Sequence, residues 1–153
     1  MVRASVSKGA TVRSGTLAEA KRVNARVAEF DVKARAKGYF EGRLQGKETL
    51  VLIAEIGRAL AGYTVAYDRF EDGSFYCWMA GVDPRFRRKG ALTALMRELE
   101  QRARAKGYAR LRITTRNSRR EMLSYLVKSG YHALKVKRRE RVEDNRILFE
   151  KAL

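Results

Sequence analysis

Arg85, Arg87, Arg88 and Lys89 stand just ahead of Gly90 in VDPRFRRKGALTALM (82–96), and an apolar helical pattern begins at once after it. The first amides of a helix have no intrahelical acceptor, and the aligned peptide dipoles leave about half a positive charge at that end. Cations crowded there repel it unless an anion sits among them. Gly90, lacking a Cβ, lets a ligand approach the backbone closely. These residue types in this order suit a phosphate cradle on a strand–turn–helix. No GxxxxGK[ST] is present, and the second and third glycines of a dinucleotide fingerprint are missing. The competing reading is a helix start with solvated arginines.

Few other side chains offer reactive chemistry. The chain has one histidine, His132, and one cysteine, Cys77. A zinc site, an intramolecular disulfide and a Ser-His-Asp triad are therefore not expected, and no metal is assigned. Cys77 in FYCWM reads as a small buried hydrophobe, and His132 as a packing or surface residue at a strand start. The charge is lopsided: 34 Lys and Arg against 17 Asp and Glu, a net of +17. Residues 85–120 hold thirteen of these cations against Glu98 and Glu100 alone. That surplus favours anionic partners, whether nucleotides, nucleic acid or acidic proteins. The length suits a single domain, 1–153, and a hydrophobic fraction of 45% can fill its core. No apolar run reaches the roughly 18–20 residues of a membrane span, and the N-terminus has no apolar h-region. A soluble, cytoplasmic protein is expected.

Positioning the turn requires a scaffold, and hydrophobic periodicity supplies one. Thr16-Leu-Ala-Glu19 is a capping box opening a helix over 16–30, and Asp31 begins a second helix through Leu44, weakened by Gly38. TLVLIAEI (49–56) reads as a strand buried on both faces, followed by LAGYTVAY (60–67) and SFYCWMAGV (74–82) in an antiparallel meander. Leu92, Leu95, Met96, Leu99 and Ala103 form the apolar stripe of a long helix over 89–106, stopped by Gly107. ARLRITT (109–115) alternates like a strand. Ser118-Arg-Arg-Glu121 reads as another capping box, opening a helix to Ser129. YHALKVKR (131–138) and RILFEKAL form the closing strands, and a short strand near Val2–Val6 could stand in front.

Three segments together resemble the GNAT superfamily of N-acetyltransferases. MAGVDPRFRRKGALTALM (79–96) is similar to its apolar strand, V-x-P and R/Q-x-x-G-x-G/A run, with Arg87 and Gly90 in place. RITTRNSRREMLSYLVKSGY (112–131) is similar to its strand, asparagine, helix and terminal G-F/Y, and NRILFEKAL to its final strand. The resemblance covers about residues 45–153. It implies an α/β (α+β) fold: a mixed, mostly antiparallel sheet of six or seven strands, flanked by about four helices, with a splay between the strands ending near Val82 and Thr115.

The resemblance also implies acetyl-coenzyme A as donor. Its diphosphate would lie on the amides of Arg88, Lys89, Gly90, Ala91 and Leu92, with Arg87 and Thr93 alongside. Its pantetheine would run along the strand at Ala80 and Val82, and Asn117 would reach the cofactor. The sequence departs from the family pattern twice. Leu92 stands where a second glycine or alanine is usual. Leu126 stands where many relatives carry the tyrosine that protonates the leaving thiolate, with Tyr125 next to it as a substitute. Attack by an amine needs the neutral amine, so a base is required. The candidates are Asp83, which also reads as a turn residue, Glu55 and Tyr76. The expected activity is acetyl transfer to a primary amine of an unknown acceptor, on an anionic carrier, by a monomer or homodimer. A basic nucleic-acid-binding module facing phosphates with Arg110, Arg112, Arg116, Arg119 and Arg120 is one rival, and an inactive coenzyme-binding regulator is another.

Overall fold

The structure is a computed structural model that describes residues 5–7, 9–27 and 37–153. Its elements are β1 (Ser5–Ser7), β2 (Ala10–Ser14), α1 (Leu17–Asn24), α2 (Tyr39–Leu44), β3 (Thr49–Ile56), β4 (Ala59–Tyr67), β5 (Ser74–Val82), α3 (Ala91–Ala105), β6 (Arg110–Arg116), α4 (Arg120–Lys128), β7 (His132–Lys137) and β8 (Arg146–Ala152). The strands form one eight-stranded sheet in the order β1-β2-β3-β4-β5-β6-β8-β7. Every neighbouring pair is antiparallel except β5 and β6, which run parallel. The α/β class, the mostly antiparallel sheet and, among the described residues, the four α-helices agree with the reading from sequence. Among the described residues, no helix is long and apolar enough to cross a membrane.

Two apolar clusters pack on opposite faces of the sheet. On one face, Leu95, Met96 and Leu99 of α3 and Leu126 of α4 pack on Leu52, Phe75, Leu111 and Phe149. On the other, Ala20 and Val23 of α1 and Phe40 and Leu44 of α2 pack on Ile53, Tyr63, Val65 and Tyr76. A strand covered on both sides has no wet face to place polar residues on, which is why TLVLIAEI does not alternate.

β5 and β6 pair only from Ser74–Arg110 to Cys77–Ile113. Beyond that point β5 continues along β4 as far as Val82, and β6 along β8 as far as Arg116. The strands therefore part in mid-sheet, as the expected splay requires, and the split opens well before Val82. A bulge in β5 accompanies it. Val65 pairs with Met79 and Ala66 with Cys77, leaving Trp78 as the additional residue. Such an insertion bends a strand and sharpens its twist.

Several boundaries differ from the sequence reading. The β1–β2 hairpin adds a strand at 10–14 that was not anticipated, because ATVRS lacks an apolar run. The helix expected from Asp31 through Leu44 is, among the described residues, only Tyr39–Leu44. Gly38 takes φ +79° and breaks the pattern, while Asp31 and the expected end of the first helix at Phe30 lie outside the described residues. The capping box at Ser118 does not form. Its amide donates to the Glu143 carbonyl (3.0 Å), and α4 starts at Arg120 with no side-chain cap.

The box at Thr16 does form. The Glu19 amide donates to Thr16 Oγ1 (3.2 Å), and the Thr16 amide donates to Glu19 Oε1 (3.0 Å). Arg13 Nη1 also donates to Glu19 Oε1 (3.1 Å). With Arg13 as the largest cause, the Glu19 carboxyl is lowered from its ordinary 4.5 to about 2. A depressed folded-state value stabilises above the unfolded value and is lost as pH falls through the folded one. Stability is therefore expected to decline between pH 4.5 and 2 through this group, by on the order of 1 kcal/mol after solvent screening. Acid titration of Glu19→Gln, followed by circular dichroism, should lack that share of the decline.

Candidate functional site

β5 ends against a turn whose geometry Asp83 fixes. Its buried carboxylate accepts from the Arg85 amide (2.9 Å), pairs with Arg85 Nη2 (2.8 Å) and lies 3.5 Å from Arg26 Nη1. A 3-10 turn over Pro84–Phe86 follows. Arg88 then takes φ +63°, a left-handed conformation that costs a non-glycine residue roughly 1–2 kcal/mol. Gly90 takes φ +82° as N-cap of α3, with no side-chain cap bond. Among the described residues, none accepts from the amides of Lys89, Gly90, Ala91 or Leu92, and the first helical bond to this end runs from Ala94 to the Gly90 carbonyl (3.0 Å). Left-handed residues beside uncapped amides make a concave nest of donors that suits an anion.

The nest opens on a hollow of about 910 Å³. Ala80, Gly81, Val82, Arg87, Arg88, Gly90, Ala91, Leu92 and Thr93 form one wall, and Arg116, Ser118, Arg119, Arg120, Met122 and Ser124 another. The register of β5 determines what its backbone offers there. The Asp83 amide donates to the Ala61 carbonyl (2.8 Å), so by antiparallel alternation Gly81 and Met79 also turn their polar groups to β4. Ala80 and Val82 turn theirs the other way, into the split that β6 has left. A second hollow of about 470 Å³, walled by Tyr39, Tyr76 and Trp78, lies on the far side of the split. The two share Ala80, Arg116, Arg119 and Met122, so they meet where the sheet parts.

Of the cofactor-binding residues expected from sequence, Ala80, Val82, Arg87, Arg88, Gly90, Ala91, Leu92 and Thr93 line the larger hollow. Lys89 is not on its wall, although its amide belongs to the nest. Asn117 lies outside it too: its Nδ2 donates to the Val142 carbonyl (2.9 Å) and its amide to the Asn145 carbonyl (3.0 Å), which pins the loop before β8.

The candidate proton-transfer groups are placed less favourably. Arg85 holds the Asp83 carboxyl below its usual range, so it is a weak proton acceptor. Glu55 pairs with Arg13 (3.1 Å) away from both hollows. Tyr76 faces the smaller hollow, with burial pushing its phenol up and the Arg69 guanidinium 4.9 Å from its ring. Tyr125 lines neither hollow. Its hydroxyl lies 3.5 Å from Glu100 Oε2, and burial first, then Glu100, pushes it up to about 12. Cys77 is buried and likewise pushed up to about 12, as an inert core thiol should be. His132 is exposed at the start of β7.

Leu126, at the position of the family tyrosine, is 0% exposed inside the α3/α4 core. Leu126→Tyr is therefore expected to overpack that core, at about 1–3 kcal/mol. Chemical denaturation should show a lower midpoint, with no gain in any activity.

Arg116, Arg119 and Arg120, which the rival nucleic-acid reading set on a phosphate-facing surface, line the larger hollow. The available signal was positional. They end β6 and begin α4, and a parallel β5–β6 pair sets that junction beside the end of β5.

A donor-lined turn beside an unpaired strand edge, opening through a split sheet onto a second hollow, suits an extended ligand with an anionic head that meets another molecule at its far end. The comparisons with known proteins give that class a family. A profile described as "Acetyltransferase (GNAT) family" matches residues 18–131. The chain belongs to this family. None of the curated proteins gives a match. Among solved structures, the chain is similar to the ribosomal-protein-S18-alanine N-acetyltransferase from Escherichia coli (TM-score 0.78, 18% identity, 94% of this chain and 93% of that one). It is also similar to a Bacillus subtilis acetyltransferase in complex with CoA (0.73, 17%, 93% and 97%). A third is a GNAT family acetyltransferase from Elizabethkingia anophelis with acetyl-CoA bound (0.69, 17%, 95% and 99%). At these identities the likeness is one of fold.

Proposed function

We propose that the chain, acting as a single domain, is an acetyl-coenzyme A-dependent N-acetyltransferase that delivers the acetyl group to a primary amine by direct attack. The observation that carries this reading is the uncapped nest at 88–92 opening onto the unpaired β5 edge. The nest amides would hold the diphosphate. The backbone groups of Ala80 and Val82 would bond the pantetheine amides as an added strand does, leading the thioester toward the split. Two of the solved structures of similar fold were determined with CoA or acetyl-CoA.

The chemistry follows from what lines the meeting point. Arg116 and Arg119 face both hollows, so they can offset charge developing on the thioester oxygen and on the departing sulfur. Among the described residues, no carboxylate lines the smaller hollow. The surrounding cations therefore disfavour an ammonium there and favour the neutral amine that attack requires. On this account Asp83, Glu55 and Tyr76 are not needed as bases, nor Tyr125 as the acid for the departing thiolate, and the proton moves through solvent. The test is thiol release from acetyl-coenzyme A, measured with and without a panel of primary amines. Amine-dependent release with a matching N-acetyl product is expected. Binding of acetyl-coenzyme A without transfer to any amine would favour a passive binder instead.

A further inference from the structure

The smaller hollow is unusual in its charge. Arg43, Arg69, Lys135, Lys137 and Arg139 line it, and no described Asp or Glu does. None of these five pairs with a described carboxylate, unlike Arg13 with Glu19 and Glu55, Arg102 with Glu98, Arg112 with Asp72 and Glu150, and Lys151 with Glu100.

Two of the five are held in place without an acid. Arg43 Nε donates to Tyr67 Oη (3.0 Å), and its guanidinium lies 5.3 Å from the Trp78 ring. Arg69 lies 5.2 Å from the Phe70 ring and 4.9 Å from the Tyr76 ring. A guanidinium stacked on a ring keeps its donor fork for a planar or tetrahedral anion. Lys135 and Lys137 alternate on exposed β7, with Arg139 two residues further on, so the three share one face. The volume suits one small molecule. A single carboxylate would leave most of these cations unmatched, whereas one phosphate brings nearly two charges and three strong acceptors.

We infer that this hollow takes the acceptor as a phosphorylated amine of metabolite size. Its phosphate is held by Arg43, Lys135, Lys137 and Arg139, and its amine lies at the split beside Ala80. The inference rests on the acetyl-transfer reading above. The amine nitrogen forms the new C–N bond, the C–S pair leaves on sulfur, and the proton lost by nitrogen reaches the thiolate through solvent. The products are the N-acetyl phosphate compound and the free thiol, with no further reactant.

The experiment has two arms, both on the full chain. In the first, inorganic pyrophosphate is titrated into protein already saturated with coenzyme A, so that the nest is filled. Binding is expected, weakened at least tenfold in the double variant Lys135→Gln/Lys137→Gln and independently in Arg139→Gln. Each variant should keep the wild-type thermal shift with acetyl-coenzyme A, which shows that it is folded. In the second, kcat/KM is compared for 2-aminoethyl phosphate, ethanolamine and a triglutamate peptide. The phosphorylated amine is expected to exceed both others at least tenfold. Absent pyrophosphate binding, binding indifferent to all three substitutions, or equal or better rates with ethanolamine or triglutamate would each overturn the inference. No thermal shift with acetyl-coenzyme A would instead defeat the underlying functional reading, so the two failures are distinguishable.

Discussion

Gly90→Glu is expected to abolish coenzyme A binding and leave the fold standing. Gly90 sits at φ +82°, where a side chain adds about 1–2 kcal/mol of backbone strain. The larger effect is electrostatic. A carboxylate at the N-terminus of α3 would occupy the nest as an internal anion and repel the diphosphate, at a loss of at least ~100-fold in affinity. Wild-type protein at about a hundred times the dissociation constant gains about 2.7 kcal/mol from ligand. For a chain of this size that is a rise of roughly 5–10 °C in melting temperature. The variant should show no rise, and Gly90→Ala, which adds strain without charge, should keep part of it. A full shift in Gly90→Glu would mean that the turn does not hold the ligand.

Glu100→Leu is expected to be the most damaging single change to stability among those considered. Glu100 is 7% exposed and gathers three partners: Tyr131 Oη at 2.7 Å, Lys151 Nζ at 3.1 Å and Tyr125 Oη at 3.5 Å. Burial and the Glu100 acceptor push the Tyr131 phenol far above its usual range, so it stays a donor at any working pH. Removing the carboxylate leaves that buried hydroxyl and a half-buried ammonium without an acceptor. The cost is about 2–3 kcal/mol, or roughly 5–10 °C in melting temperature. Adding Tyr131→Phe should recover part of the loss, because the orphaned hydroxyl is then gone. A double variant no more stable than the single one would contradict this assignment of the cost.

The parts of the molecule legible in the sequence are those where local chemistry and tertiary demand agree. The α3 stripe and the unalternating β3 carry the pattern of their burial in their own residues, and the Thr16 box is satisfied within four residues. The strand–turn–helix around Gly90 was legible because a single glycine precedes an apolar helical stripe shortly after an apolar strand run. The Ser118 box was misleading because the Glu143 carbonyl, distant in sequence, takes the amide that a local cap would have used. Asn117 and Tyr125 carry the right residue types, yet the loop before β8 and Glu100 engage them. The cationic wall of the smaller hollow was not legible. It gathers Arg43 from α2, Arg69 from the β4–β5 loop and Lys135 from β7, and only the pairing order β5-β6-β8-β7 brings them together.

A crystal structure of the chain grown with acetyl-coenzyme A tests most directly whether the backbone amides near Gly90 receive a diphosphate. Diphosphate oxygens should lie within hydrogen-bonding distance of the amides of 88–92, with the pantetheine bonded to Ala80 and Val82 and the thioester at the split. Density for the ligand anywhere else, with those amides facing only water, would contradict it.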